Sequence, residues 1–185
     1  GEDIEVAIDA QEKLRQKFIQ RKVRKPLWYG FEGNHEHRIK RALQHDPRLE
    51  GKKYGISYDH LQTRKYYDEY HGYENGAPAI KSYDGVNYAH YLASGNYGTA
   101  LSGIHHGYGL TVKMAASVTV GHSHKFSYYV KQEARPNPIH GLVAGCFKGK
   151  DELWAGQANS EWRKGVVIKR NISNGNYDLS WISME

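Results

Sequence analysis

Ile4, Ala7, Ile8, Leu14 and Phe18 recur at helical spacing between charged residues, which predicts an amphipathic helix over residues 3–25. Pro26 ends it, and Leu27-Trp28-Tyr29-Gly30-Phe31 reads as a short buried strand. That strand runs into Gly33-Asn34-His35-Glu36, after which residues 38–43 predict a second helix closed near Pro47. Residues 48–76, rich in Tyr, Lys and Gly, read as loop with a short helix around 58–70. Two strand-like runs, 79–83 and 86–91, flank Asp84-Gly85, which is a hairpin signal. A small-residue loop over 94–109 leads to a short helix at 108–116 and a buried strand, Ser117-Val118-Thr119-Val120. Further strands are predicted over 126–130, 139–147, 165–170 and 177–182, the last two joined at Ser173-Asn174-Gly175. No internal repeat or low-complexity linker breaks this order, so a single α/β domain over residues 1–185 is expected.

Composition narrows the setting. A hydrophobic fraction of 39% and a mean hydropathy of −0.77 describe a polar-surfaced chain. No apolar run approaches a membrane-spanning length, and the acidic opening Gly1-Glu2-Asp3-Ile4-Glu5 is unlike a signal peptide. The first residues read as the middle of a helix with no cap, so an upstream segment is expected. A single cysteine, Cys146, excludes an intrachain disulfide and suits a reducing, cytoplasmic setting; it reads as a core thiol. Lys and Arg exceed Asp and Glu, 26 to 20, which weakly favours a polyanionic partner. Lys13, Arg15, Lys17, Arg21, Lys22, Arg24 and Lys25 form either a solvated helix face or a phosphate-backbone patch. The tyrosines from Tyr54 to Tyr73, with Arg64 and Lys65 among them, serve packing, a lid, or base stacking. Trp28, Trp154, Trp162 and Trp181 read as core or sheet-packing residues.

Two clusters hold candidate chemistry. In Gly121-His122-Ser123-His124, strand alternation puts His122 and His124 on one face at the end of a strand, where each imidazole can reach a metal of a close pair. In Gly33-Asn34-His35-Glu36, the Asn34 carbonyl is a hard oxygen ligand. The adjacent His35, near a helix N-terminus, is placed to donate a proton or steady phosphoryl oxygens. Each cluster alone also reads as an incidental turn.

Together, in this order and in these strand contexts, the two clusters resemble the calcineurin-like metallophosphoesterase family, most closely its phage and bacterial branches. The resemblance implies the latter part of that family's two-sheet α/β sandwich with flanking helices. It implies two divalent cations, of Mn, Fe, Zn or Ni, and a phosphoester substrate. Asn34 and His122 would ligate the second cation and His124 the first. His35 would be the catalytic histidine, with Glu36 orienting it. The family's intervening strand-end histidine falls on His90 or His106; His90 ends the hairpin strand and leaves room for the usual loop, helix and strand, so it is the preferred ligand.

The family's opening motifs, Asp-x-His and Gly-Asp-x-x-Asp, do not occur in these 185 residues. The resemblance therefore implies that an upstream segment or a second chain supplies the remaining ligands, and that the chain alone holds at most one cation weakly. A phosphodiester or nucleic-acid substrate is slightly favoured by the basic balance. The alternatives are a phosphomonoesterase, or a non-catalytic fragment or binding module.

Overall fold

The computed structural model describes residues 2–21, 24–51 and 55–184; Gly1, Lys22 and Tyr54, named above, lie outside the described residues. The fold is mixed α/β, and the chain divides into two compact units, Gly1–Glu74 and Asn75–Glu185.

In the first unit, helix α1 (Glu2–Gln20) stops before Arg24 and Lys25, the latter held by Asp68 at 2.8 Å. Its inner side sets Phe18 edge-on against Trp28, with centroids 5.7 Å apart, and offers Glu12 to the hydroxyl of Tyr66 at 3.0 Å. Lys13 is paired with Asp9 one turn back, so the basic run is partly a self-compensated surface. Strand β1 (Tyr29–Phe31) is followed by α2 (Asn34–His45), a short α3 (Thr63–Tyr66), β2 (Glu69–His71) and β3 (Tyr73–Glu74). Helix α2 begins four residues earlier than its apolar pattern predicts. Gly33 caps it in extended backbone, and the His37 N–H donates to the Gly33 carbonyl at 3.0 Å, so the polar cluster itself forms the first turn. Strand β2 pairs in parallel with β1, Phe31 opposite His71. Glu69-Tyr70-His71 has no apolar alternation, so only this pairing makes it a strand.

The second unit is built on a five-stranded sheet. Its elements are β4 (Ala77–Pro78), β5 (Lys81–Tyr83), β6 (Val86–Ala89), β7 (Ala93–Ser94), β8 (Thr99–Ala100) and α4 (His106–Met114), then β9 (Val118–Val120), β10 (Phe126–Lys131), β11 (Ile139–Ala144), β12 (Gly165–Ser173) and β13 (Asn176–Ser183). The sheet order is β10-β11-β9-β6-β5, with β9 central and parallel to both neighbours. Val118, Val120, Ala89 and Val143 share one face and bury Leu110 of α4. The close fit depends on a glycine pair: a Cβ on Gly141 would lie 2.0 Å from the Gly107 carbonyl oxygen. The other face meets the β12–β13 hairpin, through Lys169 on Tyr88 and Trp181 on Phe126.

Both Asp-Gly and Asn-Gly signals form two-residue turns with positive φ, and the turns dock on each other. The Gly175 N–H donates to the Asp84 carbonyl at 2.9 Å, and a Cβ on Gly85 would sit 2.5 Å from the Gly175 nitrogen. Two expectations need correction. The loop over 94–109 contains the small β7–β8 hairpin, and His106 opens α4 as a buried residue rather than lying in that loop. The cause is Gly107, which lets that first turn press onto Gly141. Trp154 also departs from its predicted packing role: it is 70% exposed, within a 3-10 segment whose Leu153 is exposed as well.

His140 ties the hairpin to the sheet. Its Nδ1 accepts from the Tyr128 hydroxyl at 2.6 Å and its Nε2 faces Asn176 Oδ1 at 2.8 Å, an arrangement suited to the neutral ring. Burial, with the Lys169 charge adding to it, holds its pKa below the ordinary 6.5 against the raising effect of Asn176. Above that value both states are neutral. As pH falls below it, the unfolded chain takes up a proton that the fold resists, so stability drops between 6.5 and the lowered folded value. Urea midpoints should therefore fall from about pH 7.5 to about pH 5.5, and His140→Gln should flatten the change.

Candidate functional site

Adjacent parallel strands bring two of the candidate ligands together. β6 and β9 run side by side in register, Ala89 opposite Val120, and the Gly121 N–H extends the ladder to the His90 carbonyl at 3.1 Å. His90 and His122 thus leave the carboxyl ends of neighbouring strands, the usual place for a ligand in an α/β sheet. His122 Nδ1 lies 3.1 Å from His90 Nε2, and the Tyr91 ring flanks His122 with centroids 5.1 Å apart.

The backbone there is unlike the strand alternation expected. Strand β9 stops at Val120, the Ser123 N–H turns back to the Gly121 carbonyl at 2.8 Å, and both His122 and His124 take left-handed φ, +65° and +60°. The shared face of an extended strand is therefore corrected to a tight turn. Left-handed backbone costs an L-residue roughly 1–2 kcal/mol, and such residues gather at functional sites. Between the two, Ser123 Oγ is buried with no hydrogen-bond partner among the described residues. His124 sets its ring edge against Trp162, centroids 4.4 Å apart. The Glu152 carboxylate lies within electrostatic reach of it.

The His90–His122 geometry fits a shared cation. Two imidazole nitrogens bound at about 2.0–2.1 Å, with a ligand angle between about 90° and 109°, stand about 2.8–3.4 Å apart. The 3.1 Å separation, which is also that of an imidazole–imidazole hydrogen bond, lies inside that range, and the orphaned Ser123 oxygen supplies a further polar atom in the same turn. Among the described residues no group of three or more His, Cys, Asp or Glu forms a ready-made cage. His106 is nearby: burial depresses its pKa first, and the His122 and Lys125 charges add to that.

In the first unit, Asn34 is the half-buried first residue of α2, and His35, the second, is exposed. No hydrogen bond or ion pair joins Glu36 to His35 among the described residues; the Glu36 charge instead faces Tyr67, Tyr58 and Tyr70. A residue outside the sequence expectation anchors this turn. Glu32, directly before Gly33, is 1% exposed and accepts from Lys40 Nζ at 2.8 Å and the Tyr73 N–H at 3.1 Å. His37, stacked on Tyr73 at 3.8 Å, contacts its other oxygen at 3.3 Å. An acid just ahead of Gly-Asn-His-Glu was the only sequence signal for it.

The chain matches no family model, no curated protein and no solved structure.

Proposed function

We propose that the chain is the latter part of a calcineurin-like metallophosphoesterase domain, a two-sheet sandwich that hydrolyses phosphoesters with two divalent cations. The observation that carries this reading is the His90–His122 pair, whose nitrogens stand 3.1 Å apart at the ends of adjacent parallel strands. In this reading His90 and His122 hold one cation and His124 the other. An upstream segment or a second chain provides the missing carboxylates. Bound cations of this kind supply Lewis acidity toward a phosphoryl oxygen and an activated water.

The chain's own contributions are to bind, orient and move a proton. The positive end of the α2 dipole favours a phosphoryl anion, and the exposed His35 imidazole lies in that first turn. His35 donates a proton to the departing oxygen, an effect of about 10²–10⁴-fold in rate. The surplus of six basic groups favours a phosphodiester or nucleic-acid substrate.

The test is hydrolysis of bis(p-nitrophenyl) phosphate by the complete gene product, before and after removal of metal by a chelator. Activity should vanish on chelation and return with Mn or Zn, and residues 1–185 alone should show negligible turnover. Chelator-resistant cleavage would overturn the reading.

A further inference from the structure

On the hairpin side of the second unit lies a wide, open cavity of about 540 Å³, within the ~300–1,000 Å³ usual for small-ligand sites. Its lining includes Lys169, Tyr88, Thr119, Phe147, Val166 and Ile172. Lys169 Nζ donates to the Thr119 hydroxyl and to Tyr88 Oη at 3.1 Å. It also sits over the rings of Tyr88 and Tyr177, at 4.3 and 4.7 Å. Among the described residues it forms no ion pair. At the mouth, Phe147 is 70% exposed and Val166 38%. The cavity therefore joins an unpaired cation, two hydroxyls and aromatic faces to an apolar rim.

We propose that this cavity binds a small organic anion with a flat apolar body, an aromatic carboxylate, whose charge pairs with Lys169. The carboxylate supplies the counter-charge that the fold withholds, and the flat body covers the apolar rim. Taking an ammonium out of water without a counter-ion is costly, so a ligand that brings one gains from both terms. Burial pulls the Lys169 pKa down to about 7. Among the described residues the titratable groups facing it are Tyr88 from β6, Tyr177 from β13 and His140 from β11, with Cys146 in the same lining, and none of them is a carboxylate. The ammonium form is the one an anion recognises. Binding is thus fullest below about pH 7 and is accompanied by proton uptake above it.

Calorimetric titration with 1-naphthoate, with no divalent metal added, tests this. Affinity should fall about tenfold from pH 6 to pH 8, with a buffer-dependent enthalpy that reports proton uptake. Lys169→Met should bind at least about tenfold more weakly and lose the pH dependence, while Lys169→Arg retains most of the affinity. Circular dichroism establishes that each variant is folded. His122→Ala should bind 1-naphthoate as the unaltered protein does, which separates this cavity from the histidine pair. Equal affinity in Lys169→Met, equal binding of uncharged 1-naphthalenemethanol, loss in His122→Ala, or no binding at all would each overturn the proposal.

Discussion

Replacing His122 with alanine should remove divalent-cation binding from the second unit, and replacing His90 should do nearly the same. Their nitrogens face each other at 3.1 Å, so a cation shared between them loses half of its imidazole ligation in either variant. Outer-shell partners of metal ligands are worth about 10–100-fold in affinity. Losing a direct ligand should exceed about 100-fold. Zinc titration by calorimetry, with metal content measured on the purified protein, gives the result independently of catalysis. His106→Gln is the discriminating control. His106 opens α4 and is 5% exposed, and it stands close enough to feel the His122 charge, so its replacement costs stability. The cation should nevertheless remain bound. If His106→Gln loses the metal while His90→Ala keeps it, the ligand has been assigned to the wrong strand end. His140→Gln, at the opposite end of β11, should leave affinity unchanged.

What the sequence showed and what it hid follow the reach of the interactions involved. The turns at Asp84-Gly85 and Asn174-Gly175 were readable because a two-residue hairpin needs positive φ, and those residue pairs accept it. The strand Ser-Val-Thr-Val before Gly121 was readable because a buried central strand is apolar throughout on its core face. Strand β2 was not readable, since Glu69-Tyr70-His71 becomes a strand only by lying beside β1. Likewise, the left-handed turn at His122 and His124 overrode the alternation that their spacing suggested. The start of α4 at His106 rests on the Gly107–Gly141 approach, a contact across 34 residues (141 − 107) that no local pattern carries. Of the candidate site, the His90–His122 meeting was legible as a motif spacing, while Glu32, Ser123 and Lys169 depended on burial that only the fold reveals.

The buried acid before Gly33 leads to the second large effect: Lys40→Met should destabilise the first unit by about 3 kcal/mol. The Glu32 side chain is fully buried, and Lys40 Nζ at 2.8 Å is its one permanent cation among the described residues. Removing one partner of a buried pair costs about 3–5 kcal/mol, because the remaining charge stays in a poor dielectric. The lower end applies here, since the Lys40 side chain is 38% exposed and water can approach its place. The His37 contact at 3.3 Å and the Tyr73 N–H at 3.1 Å soften the loss without replacing the charge. The double variant Glu32→Gln, Lys40→Met removes both charges and should recover more than about 1 kcal/mol of that loss. Urea unfolding of the four forms gives the coupling, and amide exchange locates it. Glu32 is joined directly to the turn that carries Asn34 and His35, so protection of residues 33–37 should fall first, before the rest of α2 opens. A Lys40→Met protein within about 0.5 kcal/mol of the parent, with unchanged exchange in that turn, would show that Glu32 does not hold the motif in place.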